Sequence, residues 1–434
     1  MKLLPSAAVV IAVALLAGCS ASPGGEASAS PTADAEEQCA VAVDDLVSAV
    51  GTLVSDYAQP DGTRAGGAQP PATPQATDGG DGGSVPGDKA LADAAAKARD
   101  ARERLGCDAK AFQSRLEDGL GSIQPSGAIA DAVWRRVSAS LLGTVRQATG
   151  DYEVAEGEDL RDVLARSPEG TTVVLPSGAT DVGQTLVLLA GVTLKGAGRD
   201  VTTLASTATD ATIIVATGSL VQLQDLTVQM TADHPSSGLV AGPSASVSLA
   251  GVRITGATAA TGAVGGAGVY LSAQGDEASG RGTTLEITDS LFERNGWAGV
   301  AVAGGHRVSI QSASFTGNGG AGVLFLDAST GSIDGSTFTD NAVGVAVSGT
   351  AAPVVLGSTF TGGSVGVQAD ESGSPVLDGL RITGVSSAAV IFGGNSGGSI
   401  GGTSCEGAPH GIVVSDTAAP TIGENSCPVV RGGS

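Results

Sequence analysis

Apolar residues in the second half of this chain return on a fixed beat. Gly-Val-Ala-Val at 299–302 recurs as Gly322-Val323-Leu324-Phe325, then at Gly344, Gly366, Ala389 and Gly411, in steps of 23, 22, 22, 23 and 22 residues. A second series keeps the same beat through Phe292, Phe315, Phe338, Phe360, Ile382, Cys405 and Cys427. Within each period an apolar residue precedes the second series by five positions, as in Ile310/Phe315, Ile333/Phe338 and Val355/Phe360. Short alternating apolar runs separated by Gly, Ser, Thr and Asn predict strands and turns, not helices. Two locked series at one period predict a solenoid of stacked coils.

The fold class read from this pattern is mainly β: a right-handed parallel β-helix with 22–23-residue coils. Equivalent residues of neighbouring coils then lie roughly 4.8 Å apart, the spacing of paired strands. Phe292, Phe315, Phe338 and Phe360 should stack inside. Asn295, Asn318 and Asn341, each three residues after a Phe, should form an amide ladder at one turn. The ladder lapses at Gly363.

The first half reads differently. Residues 37–58, 88–106 and 109–148 are rich in Ala, Leu and alternating charges, which favours helix, with a break at Pro125-Ser126-Gly127. The stretch 60–87 is full of Gly, Pro, Thr and Asp and is expected to be a disordered loop. Residues 158–164 read as a short amphipathic helix, and strand-turn segments follow at 170–175 and 192–198. That order resembles the entry of the pectin-lyase-like β-helix superfamily, in which a helix covers the open end of the stack. The resemblance spans about 152–434. It implies the fold strongly and the activity weakly, because the superfamily holds lyases, hydrolases, epimerases, adhesins and noncatalytic carbohydrate binders.

The N-terminus changes the picture of compartment. Lys2, an apolar run from Ala7 to Leu16 and the ending Leu16-Ala17-Gly18-Cys19 read as a secretory signal. The ending resembles the bacterial lipobox, which implies lipidation of Cys19, a signal peptide at 1–18 and a flexible tether at 19–36. No other apolar stretch reaches the roughly 18–20 residues of a membrane span. The expected organisation continues with a helical region at 37–149 and a capped β-helix at 150–434. The expected location is the outer face of the cell membrane, held there by lipid.

The other cysteines suit an oxidising compartment. Cys405 and Cys427 share a register on adjacent coils, and Cys39 and Cys107 bracket the helical region, so two disulfides are expected. No metal is expected, since there is no Cys-x-x-Cys and no close Cys/His pair. Asp327, Glu371 and Asp416 fall on every second coil, roughly 9–10 Å apart, too far for one calcium ion. No cofactor is expected either.

Candidate chemistry is sparse. Alternation places Val240, Tyr270, Ala301, Leu324, Ala346, Gln368, Ile391 and Val413 on one outward face. A second outward row holds Ser272, Ala303, Leu326, Ser348, Asp370, Gly393 and Ser415, with a single carboxylate. Glycoside hydrolysis needs two carboxyl groups at a set separation. The Asp-Asp pair of polygalacturonases is missing, since Asp44-Asp45 lies in the helical region. Lyases generally need a Lys or Arg base, and the solenoid holds one lysine, Lys195. An epimerase-type Asp-Pro-His is absent, Asp233-His234-Pro235 having the wrong order. An apolar stripe needs covering, by the helices of 37–149 or by a partner.

The steps Gly238 to Gly268 and Gly268 to Gly299 are 30 and 31 residues, so insertions project near 256–267 and 273–283. Loops that break a solenoid often form its binding site. Tyr270 and Trp297, with Asp276, Glu277, Arg281, His306 and Arg307, are the candidate ligand-binding residues. A formal net charge of −22 disfavours nucleic acid and anionic polymers. Neutral glycans, cationic groups or an envelope protein remain. The expected role is noncatalytic binding of a glycan or an envelope protein. The rivals are a polysaccharide lyase or hydrolase working at the inserted loops, and a structural spacer.

Overall fold

A computed structural model describes residues 32–58, 86–147, 149–209, 211–215, 218–242, 244–259, 265–271, 282–415 and 417–432. The chain divides into two compact units, each taken by itself below. One holds 150–157 and everything from 170 onward. The other holds the residues before 150 together with 158–169.

The larger unit is a right-handed parallel β-solenoid of about eleven turns. Each coil passes through three strands, as in Thr284–Thr288, Leu291–Glu293 and Ala298–Val302. The first sheet has 12 strands, the second 10 and the third 11, and every pairing is parallel. Alternation puts one face of each strand inward: Thr284–Thr288 buries Leu285 and Ile287 and exposes the rest.

The core follows the two sequence series. Phe292, Phe315, Phe338 and Phe360 stack with ring centroids 5.1, 4.9 and 4.6 Å apart. The asparagine ladder is present. Asn295 Nδ2 donates to Asn318 Oδ1 at 3.0 Å, and Asn318 Nδ2 donates to Asn341 Oδ1 at 2.9 Å. The same amides donate to the carbonyls of Ile254, Phe292 and Phe315. These bonds satisfy polar groups that burial would otherwise strand. A parallel serine ladder was not anticipated: Ser290, Ser336 and Ser358 Oγ accept from Val252, Ala313 and Ser336 N, each at 3.2 Å.

Between the first and second sheets the chain turns through one left-handed residue per coil, as at Asp289, Ser312, Gly335 and Gly357 (φ 45–55°). That conformation explains the Gly, Asp and Ser at this corner. The glycine at the second position of the third-sheet strands from Ser237–Ala241 to Val365–Ala369 has another cause. A Cβ at Gly344 would lie 2.4 Å from Phe360 Cδ1 and 2.5 Å from the Gly366 carbonyl. The position becomes Ala389 where the facing ladder residue has shrunk from Phe to Cys405.

The smaller unit is helical: α1 (Ala33–Asp56), α2 (Pro86–Leu105), α3 (Ala109–Ser122), α4 (Ala128–Leu141) and α5 (Leu160–Arg166). Helix α1 starts four residues earlier than the sequence reading placed the helical region, capped by Thr32, whose Oγ1 accepts from Ala35 N. The break at 123–127 separates α3 from α4, as the Pro-Ser-Gly signal predicts. By length and composition alone α1 could cross a membrane, which the sequence reading did not flag. It is amphipathic, burying Cys39, Val43, Leu46, Val50, Leu53 and Val54 on one stripe, with acids on the other face.

Cys39 bonds to Cys107 and Cys405 to Cys427, with Cα atoms 5.9 and 5.1 Å apart. The expected loop 60–87 lies almost wholly outside the described residues, as does Cys19.

Arg136, in α4, is 7% exposed, and its Nη1 donates to the carbonyls of Ala165 and Ser167 at 2.9 and 2.6 Å. Burial pushes its pKa down. The unsatisfied C-terminal carbonyls of α5 give the guanidinium the partners that water no longer provides. Arg135 reaches Asp131 at 2.8 Å and Asp162 at 2.5 Å. These contacts explain why 158–169 sorts with the helices.

Candidate functional site

The third sheet differs from the other two on its outward side. Strand register lines up Val187, Ile214, Val240, Tyr270, Ala301, Leu324, Ala346, Gln368, Ile391, Val413 and Val430 in one column. One of these eleven, Gln368, carries a purely polar side chain. The matching column of the first sheet reads Thr, Thr, Gln, Ser, Glu, Ser, Ser, Val, Val, Ser, Thr from Thr172 to Thr421. Solvent-facing strands take polar residues by default, so an apolar column eleven strands long calls for something to pack on it. Val187, Ile214 and Ala301 are buried, Val430 is exposed, and the other seven are half-buried.

Tyr270 and Trp297 are brought together on this face. Their rings meet edge to face with centroids 5.8 Å apart, over Ala267, Ala298 and Ala301 and beside Leu324. The Trp297 backbone is pinned: its N–H donates to Gly266 O at 2.8 Å, and its carbonyl accepts from Gly320 and Ala321 N. A Cβ at Gly320 would come within 2.3 Å of that carbonyl, so the bare backbone there lets the coils close up. Among the described residues neither the Tyr270 hydroxyl nor the Trp297 indole N–H makes a hydrogen bond, and neither is fully buried.

His306 and Arg307 are not gathered here. His306 is 4% exposed, and its Nδ1 accepts from Thr283 N at 2.9 Å. Its register partners, Thr283 and Ser329, are likewise buried, so the ring packs inside the corner. Arg307 is exposed at the start of the first-sheet strand Arg307–Gln311. His306 and Arg307 follow the strand Ala298–Val302, whereas Trp297 precedes it. Asp276, Glu277 and Arg281 lie outside the described residues.

Three acids near this face are engaged with backbone, and Asp416 lies outside the described residues. Asp327 Oδ2 accepts from Gly304 N at 3.0 Å. Glu371 Oε2 accepts from Gly349 N at 2.6 Å and from Ser348 Oγ at 2.8 Å. Asp327 and Glu371 both hold left-handed corners (φ 56° and 53°) and tie one coil to the previous one. Asp370 Oδ1 accepts from Glu371 N. Among the described residues no cluster of His, Cys, Asp and Glu could hold a metal ion.

Sequence reading missed one charged network. Arg253 pairs with Asp200 at 2.8 Å and approaches Glu293 at 3.7 Å, while Arg294 reaches Glu293 at 2.7 Å and Arg199 reaches Asp289 at 3.3 Å. Arg199 and Asp289 are 90 residues apart and become neighbours only through coil register. Each acid in this network faces an arginine, which stitches coils together.

The sequence matches the profile described as "Right handed beta helix region" over residues 211–379 and 267–427. No curated protein matches it significantly. Among solved structures, it is similar to a catalytic domain of a GH87 alpha-1,3-glucanase in complex with tetrasaccharides. That likeness has 12% identity and a TM-score of 0.48, and covers 67% of this chain and 58% of the glucanase domain. A GH87 alpha-1,3-glucanase catalytic unit from Streptomyces thermodiastaticus gives 15% identity and a TM-score of 0.37, covering 67% and 70%. ORF18 of Geobacillus virus E2 gives 14% and 0.46, covering 75% and 65%. The chain thus spans under three-fifths of the first of these domains. Identities this low assign neither activity nor residue roles.

Proposed function

The chain belongs to the right-handed β-helix family, and from that premise we propose that it is a noncatalytic binding protein whose partner docks on the outward face of the third sheet. The carrying observation is the apolar column, ten of eleven positions, on a solenoid whose first sheet is polar in the same place. Aliphatic side chains in a flat row suit the packing of a protein surface better than sugar, which needs aromatic faces and hydrogen-bonding groups together. Asp327, Asp370 and Glu371 beside the face are tied to backbone N–H groups, and the pair of free carboxyls that glycoside hydrolysis needs has no counterpart among the described residues of that face.

A second reading is favoured by one feature. Tyr270 and Trp297 present two rings whose polar tips have no hydrogen-bond partner among the described residues, an arrangement suited to one or two sugar rings. In that reading the ligand is a neutral glycan, given the strongly acidic chain.

Export and anchoring through Cys19 complete the proposal and place the protein on the outer face of a membrane. Two disulfides support an oxidising compartment. Cys19→Ala should abolish incorporation of labelled fatty acid and release the protein from the membrane fraction. Persistence in that fraction without label would defeat the lipid anchor.

The noncatalytic reading is tested by incubating the full chain with a panel of neutral and charged polysaccharides. Products are sought by mass spectrometry and binding by affinity electrophoresis. Absence of products is expected. Any oligosaccharide product would overturn the reading. Retardation that is lost in both Tyr270→Ala and Trp297→Ala would establish the glycan alternative.

A further inference from the structure

The size pattern of the apolar column is nearly the same read from either direction about Leu324. Ala301 and Ala346 flank the centre. Next come Tyr270 and Gln368, then Val240 and Ile391. We infer that this face self-associates, and that its partner is a second copy of the chain packed antiparallel across the third sheet. The inference rests on the docking reading above.

The symmetry that does this is a two-fold axis lying between the two sheets, parallel to the strands and level with Leu324. It brings residue i of one copy against residue j of the other, and j against i, as a closed dimer requires. Leu324 meets its own copy and can lean over Ala346. Ala301 is buried beneath Tyr270 and Trp297 and makes no contact across the interface, while Val240 faces Ile391. The one polar residue of the column, Gln368, falls opposite the one hydroxyl-bearing ring, Tyr270. A carboxamide can donate to or accept from the phenol there, so neither is stranded when water leaves. Because the axis is parallel to the strands, positions before each strand also face one another. Trp297 therefore meets Ala342, a large side chain against a small one. A two-fold axis along the solenoid, over the column, would instead set Gln368 against Gln368 and Tyr270 against Tyr270.

Extent fits a modest dimer. The open stretch from Val240 to Ile391 covers seven strands, about 29 Å along the solenoid and about 13 Å across. That is roughly 400 Å² per copy before side-chain relief, about 800 Å² in total, below the roughly 1,000 Å² that a stable specific contact clears. Val187 and Ile214, which the symmetry sets against Val430 and Val413, are already buried and add little. A weak, concentration-dependent dimer is the expected state.

The test uses the full chain with Cys19→Ser, so that the remaining native cysteines are all in disulfides. Light scattering after size exclusion, up to about 200 µM, should show a monomer–dimer equilibrium. Leu324→Asp should weaken it at least about tenfold, by burying unpaired charge at the axis. Oxidation should cross-link Leu324→Cys with itself. Ile391→Cys should not cross-link alone but should do so when mixed with Val240→Cys, a pattern that no other alignment produces. A chain monomeric throughout, whose Leu324→Cys thiol reacts readily with maleimide, overturns self-association and leaves the face open to a different protein or a glycan. A monomer whose Leu324→Cys thiol is unreactive overturns both this inference and the docking reading, because the face is then covered. A dimer with the wrong cross-linking pattern overturns the antiparallel arrangement.

Discussion

At the scale of single residues, two ladders show how a repeat turns into energy. Asn318 gives and receives: its Nδ2 donates to Asn341 Oδ1 and Phe292 O, and its Oδ1 accepts from Asn295 N and Nδ2. All of this is buried, so a substitution leaves several partners unsatisfied at once. Asn318→Ala should destabilise the solenoid by about 2–4 kcal/mol, read from chemical denaturation. Asn318→Ser should recover little, since its hydroxyl falls short of the next coil. A substitution that costs under half a kilocalorie would mean the ladder is ornamental. Gly344 fails for another reason. Its φ is ordinary, but an added methyl meets the Phe360 ring and a backbone carbonyl. Gly344→Ala should cost about 1–3 kcal/mol by overpacking. The change at Ala389, where Cys405 replaces the aromatic, already shows that the chain tolerates a methyl when the facing ring is gone.

At the scale of elements, the last coil is held by fewer strands than those above it. Its first-sheet strand is Thr421–Ile422, and its third-sheet strand Val429–Arg431 is exposed throughout. The Cys405–Cys427 bridge closes a loop of 22 residues at that point. Closure of a loop this size is worth about 3 kcal/mol in the chain-entropy account. Cys405→Ser with Cys427→Ser should therefore speed amide exchange in 404–431 while leaving exchange around Phe315 unchanged. Uniform acceleration along the whole solenoid would contradict this local role.

At the scale of the whole molecule, acid should act on the helical unit through carboxylates that arginines hold below their ordinary range. Asp44 is held below the usual carboxylate range by its hydrogen bonds with Arg115, which outweigh desolvation. At Asp159 burial pushes upward, but hydrogen bonds from Arg161 and the charges of Arg161 and Arg135 bring the pKa down overall. A carboxylate whose folded pKa lies below its unfolded value contributes stability that is present above the unfolded value, near 3.8 here, and is lost as pH falls through the folded value. Helical circular dichroism should melt at a constant temperature from about pH 8 to pH 5 and at lower temperatures below about pH 4. Asp159→Asn should flatten part of that fall. Both groups are partly exposed, so salt should also reduce the effect. A melting temperature that rises on acidification would mean that relief of the −22 net charge outweighs these pairs.

Local pattern determined much of this protein. Period, strand-turn alternation, the phenylalanine and asparagine ladders, both cysteine pairs and the outward apolar column were legible in the sequence. In a solenoid the neighbour of a residue is itself one period later, so one-dimensional spacing encodes three-dimensional contact. The rest depended on where each coil closes. His306 lies at a corner, where alternation no longer says which way a side chain points, and only the folded chain turns it inward against Thr283. Arg199 meets Asp289 across coils of unequal length, which no fixed period reveals. The serine ladder is interrupted by Ala313 and ends at Leu380, and so leaves no regular signal. Trp297 against Tyr270, and Arg136 against the carbonyls ending α5, are tertiary decisions of the same kind. Each is made by packing, where burial forces a polar or bulky group to find the one partner within reach.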